Sequence, residues 1–164
     1  MSRWKPPAPK SAPYITPDGY RALELEVKSL WQRRGEVTLA LSAAAAEGDR
    51  SENAEYIYRK KELRELDARI RYLQVRMPDL NVVSAIHDVT RVFFGAWVSL
   101  VDNQENTRLV RIVGADELDS SPACISIDSP LARALLNKTT GDEILCQVME
   151  LTVVYNIIAI EYRD

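Results

Sequence analysis

Apolar residues fall in two different rhythms along the chain. Through the first half, Tyr20, Leu23, Val27, Leu30, Arg34, Val37, Leu41 and Ala44 alternate three and four residues apart, as do Leu63, Leu66, Ile70, Leu73 and Met77. That spacing draws a seam down one face of a helix and calls for a partner helix. Two seams joined by a short polar bend are best buried against each other, as an antiparallel coiled-coil hairpin. Thr16 before Pro17 reads as N-cap and first helical residue, and Pro78 ends the second helix. Each helix is expected to run roughly 25 to 30 residues, or about 40 to 45 Å at 1.5 Å per residue. Gly35, inside helix one, costs about 1 kcal/mol relative to alanine and marks a candidate irregularity.

From Asn81 onward the period is strand-like. Val92 to Phe94, Trp97 to Val101, Leu109 to Val113, Ala123 to Ile127, Ile144 to Met149 and Thr152 to Glu161 are expected strands. Gly95, Asp102-Asn103, Gly114 and Gly141-Asp142 supply turns between them. Ser129 and Pro130 open a short helix through Leu136 as N-cap and first helical position. The expectation is an α+β chain with a tail at 1–13, a helical hairpin at 14–80 with its bend at 48–56, and a mainly antiparallel sheet domain with one short helix at 81–164. The hairpin between the last two strands lacks a Gly or Pro turn.

Charge separates the same two halves. Residues 1–77 carry 15 Lys/Arg against 11 Asp/Glu, while residues 78–164 carry 6 against 13. A basic arm beside an acidic domain suits an anionic partner for the arm, although dispersed helix-surface charges often only solvate. The leader from Lys5 to Pro13, rich in proline, reads as a flexible extended tail. No apolar run approaches the roughly 20 residues that span a bilayer, and the first 15 residues lack the apolar centre of a signal peptide. Cys124 and Cys146 have no accompanying His and read as buried reduced thiols of a cytoplasmic protein.

The chemistry available is narrow. His87 is the only histidine and reads as a solvated linker residue. No nucleophile with a base, no Cys/His ligand set and no glycine-rich phosphate loop is present. What remains is the bend, Gly48-Asp49-Arg50-Ser51-Glu52-Asn53-Ala54-Glu55-Tyr56. Gly48 suits a helix-ending positive-φ conformation, and either Asp49 or Ser51 can cap the second helix. If that helix starts near Asp49, then Asp49, Glu52 and Glu55 project from one side of its first turns. The plain alternative is that these acids complement the helix dipole and complete a capping box. Mg²⁺ takes oxygen ligands, yet two or three exposed carboxylates leave most of its coordination to water and hold it weakly. The bend makes better sense as half of a site.

Several ordered blocks resemble the bacterial GreA/GreB transcript cleavage factors. They are GDRSENAEY at Gly48 to Tyr56, LRELDARIRYL at Leu63 to Leu73, VFFGAWV at Val92 to Val98, RIVG at Arg111 to Gly114, ISIDSPLARALL at Ile125 to Leu136 and AIEY at Ala159 to Tyr162. The resemblance covers Tyr14 to Tyr162. It implies a coiled coil inserted into the secondary channel of bacterial RNA polymerase and an FKBP-like domain docked on the rim helices. Asp49 and Glu52 match the tip carboxylates that hold a Mg²⁺ ion jointly with the polymerase and position water to cleave backtracked RNA. Glu55 matches a further acidic position. Asp128, Ser129 and Pro130 match the contact with the rim helices. Arg50, Arg59, Lys60, Lys61 and Arg64 match the basic surface that meets the extruded 3′ end of the nascent RNA.

What the resemblance implies is a monomeric catalytic cofactor of polymerase rather than an enzyme in its own right. One departure bears on the RNA. Val37 to Glu47 (VTLALSAAAAE) lacks the lysines and the tryptophan of close relatives, and the segment around Gly35 is one residue shorter, so a weaker preference for long extruded RNA is expected. Two other classes fit less well: a channel-binding modulator without cleavage activity, against which the intact Asp49/Glu52 pair argues, and a prolyl isomerase, suggested by fold alone.

Overall fold

The computed structural model describes residues 11–48, 53–84 and 88–163. These form two compact units, Tyr20–Leu80 on the one hand and residues 11–19 with 81–163 on the other. Helix α1 spans Pro17–Ala46 and α2 spans Ala54–Arg76, with 30 and 23 residues. Every expected seam position on both helices is buried or half-buried, and Leu23, Val37, Ala44, Ile70 and Leu73 are almost fully so. Ion pairs between the helices flank the seam: Arg33 Nη2 to Glu62 Oε1 at 2.7 Å, Arg34 Nε to Asp67 Oδ1 at 2.6 Å and Arg69 Nε to Glu26 Oε1 at 2.6 Å. Helix α1 runs through Gly35 without interruption, so the irregularity anticipated there does not occur. An exposed helical position needs no side chain to keep its backbone ladder. At Pro78, α2 gives way to a 3₁₀ turn, Met77–Asp79, closed by Leu80 N donating to Met77 O at 3.2 Å.

In the other unit, short strands β1 (Tyr14–Ile15) and β2 (Asn81–Val82) pair in parallel. The main sheet comprises β3 (Trp97–Asp102), β4 (Thr107–Val113), β5 (Cys124–Ser126), β6 (Glu143–Val148) and β7 (Leu151–Glu161), in the order β5-β4-β3-β7-β6. All neighbours are antiparallel except β4 and β5. Alternation gives each strand one core face: Val98, Leu100, Val110, Ile112 and Ile144 pack with Leu131, Ala132 and Leu135 of helix α3, Pro130–Leu135. On the outer face the Trp97 ring has Arg111 at 5.3 Å and Arg163 at 4.7 Å from its centroid. The β6–β7 hairpin forms with Val148 opposite Leu151 and a turn in which Met149 takes a φ of 54°, so no glycine is used.

Two expectations fail in this unit. Val92 to Phe94 is not a strand, because its backbone is spent on other partners: Val92 N donates to Lys138 O at 2.9 Å and Phe93 N to the Tyr162 hydroxyl at 2.9 Å, which itself donates to Arg91 O. An amide taken by a side chain cannot serve a ladder. Residues 11–13, assigned to a free tail, are tied down: Ala12 N donates to Asp128 Oδ2 at 2.9 Å and Asn81 N to Pro13 O at 2.7 Å. Both cysteines are free thiols, but only Cys146 is buried; Cys124, on the outer face of β5, is half-buried with Sγ 3.3 Å from Ser120 Oγ.

One buried carboxylate organises the start of α1. Glu117, nearly inaccessible to solvent, accepts from Thr16 N at 3.1 Å, from Gly114 N at 2.9 Å and from the Thr16 hydroxyl. Thr16 Oγ1 in turn accepts from Gly19 N at 3.0 Å, which is the expected N-cap. Gly114 is obligatory, since a Cβ there would lie 2.0 Å from the Tyr14 carbonyl oxygen.

Candidate functional site

The bend is built from its two helix ends inward. Helix α1 ends at Ala46; Glu47 N donates to Ala44 O at 3.3 Å, and Gly48 takes a φ of 136°, a region that disfavours any side chain. Helix α2 is capped by Asn53, whose Oδ1 accepts from Tyr56 N at 3.1 Å. The cap is therefore neither Asp49 nor Ser51, which both lie outside the described residues with Arg50 and Glu52. Since α2 begins at Ala54, only Glu55 of the acidic series stands in its first turn. Asn53 Nδ2 also donates to Ala44 O at 2.9 Å, joining the end of one helix to the start of the other.

Glu55 is engaged. Its Oε1 accepts from Arg59 Nε at 2.7 Å, and Arg59 Nη1 reaches Glu62 Oε2 at 3.0 Å. Glu62 thus sits between Arg33 and Arg59. Burial pushes its carboxyl up, but hydrogen bonds from the two guanidiniums outweigh that and hold it below the ordinary carboxylate range. Arg59 is a structural cation here, already matched by two carboxylates. The other basic candidates differ: Lys60 Nζ lies 5.8 Å from the Tyr56 ring centroid, while Lys61 and Arg64 are exposed and make no ion pair among the described residues. Among the described residues no group of three or more His, Cys, Asp or Glu converges as a metal cage. His87 also lies outside them.

The second cluster is at the start of α3. Ser129 Oγ accepts from Ala132 N at 3.2 Å as N-cap, exposed Pro130 follows at the first helical position, and Asp128 N donates to Ser126 Oγ at 3.1 Å. One Asp128 oxygen holds Ala12, a contact nothing in the local sequence announces. Sequence reasoning also missed Asn53 and Glu117. Asn53 carries a signal in hindsight, as a preferred N-cap residue directly before the first periodic helical position. No helix of the described residues is long and apolar enough to cross a membrane.

Comparison with known proteins bears on both clusters. Residues 13–82 match the family described as "Transcription elongation factor, N-terminal", and residues 87–162 match "Transcription elongation factor, GreA/GreB, C-term". Transcription elongation factor GreB of Xanthomonas axonopodis pv. citri is 52% identical over 167 residues, covering 100% of this chain and 99% of the relative. GreB of Pseudomonas aeruginosa is 50% identical over 164 residues, covering 99% and 98%. GreB of Yersinia pestis is 49% identical over 152 residues, covering 92% and 89%. With both halves matched in order and half of all positions shared with full-length relatives, the chain belongs to the GreA/GreB family of transcription elongation factors.

Proposed function

We propose that this protein is a transcript cleavage factor that inserts its helical hairpin into the secondary channel of RNA polymerase and stimulates hydrolysis of backtracked nascent RNA. The observation that carries the reading is the Asn53 junction, which joins the end of α1 to the start of α2 on either side of the stretch of sequence that holds Asp49, Arg50 and Glu52. Membership of an elongation-factor family supports it independently.

In this reading Asp49 and Glu52 are the carboxylates that meet the polymerase active site. Their oxygen donors fit Mg²⁺, and two of them leave the rest of the coordination to the polymerase, the RNA and water. Glu55, paired with Arg59, is the less available third. An ion held by these oxygens would supply charge stabilisation for the oxygen that attacks the RNA. The chain's own part is to deliver and orient these carboxylates, to exclude bulk water by filling the channel, and to guide the RNA by phosphate contacts from Lys60, Lys61 and Arg64. Asp128, Ser129 and Pro130 dock on the rim helices. The protein acts as a catalytic cofactor, with most of the reactive site belonging to the polymerase.

The test is addition of the protein to stalled, backtracked elongation complexes. Shortened RNA that can be re-extended is expected, and Asp49→Asn or Glu52→Gln should abolish it while leaving polymerase binding nearly intact. Stimulation that survives both substitutions would overturn the carboxylate assignment. Binding without any shortened RNA would mark a channel-bound modulator instead.

A further inference from the structure

We propose that Tyr58 is a stacking platform for a base of the extruded RNA, forming one binding ridge with Lys61 and Arg64; this deepens the cleavage-factor reading and rests on it. Tyr58 lies four residues into α2, about 6 Å along the axis from its first residue. Lys61 and Arg64 follow at three-residue steps, so the three side chains form a continuous row leading away from the tip. The tyrosine is 59% exposed despite its size. Its ring is not free to wander, because the Arg59 guanidinium lies 5.4 Å from the centroid and is itself held by Glu55 and Glu62.

The ion pairs sort the cations of the hairpin into two kinds. Arg33, Arg34 and Arg69 are each matched by a carboxylate of the other helix and hold the helices together, while Arg59 is matched within α2 by Glu55 and Glu62. Lys61 and Arg64 are exposed and unmatched among the described residues. An exposed aromatic face beside unmatched cations is the combination by which proteins hold single-stranded nucleic acid without reading its sequence: stacking on the base, charge on the phosphate. A cleavage factor must accept whatever transcript is extruded, so a sequence-tolerant grip suits the task.

The experiment measures affinity of the full-length factor for polymerase elongation complexes, either backtracked by several nucleotides or not backtracked, comparing the wild type with Tyr58→Ala, Tyr58→Phe and Tyr58→Leu. Ala is expected to weaken binding to backtracked complexes about tenfold, Phe to retain it, and Leu, of comparable bulk, to fail to restore it. Binding to complexes without extruded RNA should not change. Full rescue by Leu, an equal loss on both kinds of complex, or no loss at all would each overturn the proposal, the second by assigning Tyr58 to the channel wall. If the wild type binds backtracked complexes more tightly but releases no shortened RNA, the cleavage reading fails while the platform stands. If it shows no preference for backtracked complexes, the platform fails whatever the cleavage assay gives.

Discussion

Asn53 donates from its side-chain amide to the Ala44 carbonyl at 2.9 Å, and the same side chain accepts from Tyr56 N at 3.1 Å. One residue therefore gives the Ala44 carbonyl at the end of α1 a second donor beside Glu47 N and satisfies an orphan amide at the start of α2. A carboxylate can perform only the second task, since it has no proton to give to Ala44. Asn53→Asp should keep the cap and lose the cross-helix bond, at about 1 kcal/mol. Asn53→Ala should lose both, at about 2 kcal/mol. Denaturant unfolding of the three proteins, followed by helical circular dichroism, checks the order.

Glu62 gives the hairpin a dependence on acid. Its carboxyl is held low by Arg33 and Arg59 in the folded state, against an unfolded value of about 4.3. A depressed acid contributes stability that is fully present above the unfolded value and is lost as pH falls through the folded one. Glu62→Gln should therefore destabilise the protein at pH 7, with the difference from the wild type shrinking as pH drops below about 4. Thermal melts of both proteins across that range test the sign; a difference that grows in acid would contradict it.

Gly35 is an opportunity for stabilisation. It is exposed within an unbroken helix, and a Cβ there meets nothing within 4 Å. Gly35→Ala should raise stability by about 1 kcal/mol, visible as a higher denaturation midpoint at unchanged slope.

Glu117 and Gly114 should be among the least tolerant positions. Glu117→Ala strands the amides of Thr16 and Gly114 in a buried site, at about 1 to 3 kcal/mol for each unsatisfied group. Glu117→Gln should cost less, because its amide can donate to the Thr16 hydroxyl. Gly114→Ala drives a methyl into the Tyr14 carbonyl and should lower expression as soluble protein.

On the proposed cleavage function, the stretch Val37 to Glu47, without the lysines of close relatives, would bear on product size. Cleavage of defined backtracked complexes should yield a distribution weighted to short fragments. Sizing the released RNA on a denaturing gel, against a factor carrying lysines in this stretch, checks the expectation; equal release of long fragments by both would count against it.

Where the sequence was legible, its information was local. The three-four spacing from Tyr20 to Ala44 marked the seam because every helical turn repeats it, and Thr16-Pro17 and Ser129-Pro130 marked helix starts because a cap acts within three residues. The strands from Trp97 and Thr107 were visible because alternate residues face the core. What stayed hidden was non-local. The β1–β2 pair is two residues long and joins positions 67 apart in the chain, Tyr14 to Asn81, so no period can reveal it. Val92 to Phe94 has strand composition, and its backbone is diverted by Lys138 and by Tyr162, both far along the chain. At the bend, Asp49, Ser51 and Asn53 are all good caps, and local chemistry alone does not choose among them. The acid pair expected at the tip rests on resemblance, which periodicity could not have supplied.

Thr16 and Glu117 are 101 residues apart. During synthesis the first turn of α1 leaves the ribosome long before the carboxylate that anchors it exists. A contact between positions so distant carries a larger loop-closure cost than one within the hairpin. Among the described residues, the seam and the ion pairs that join α1 to α2 all precede Pro78, so they are synthesised before the carboxylate that anchors Thr16.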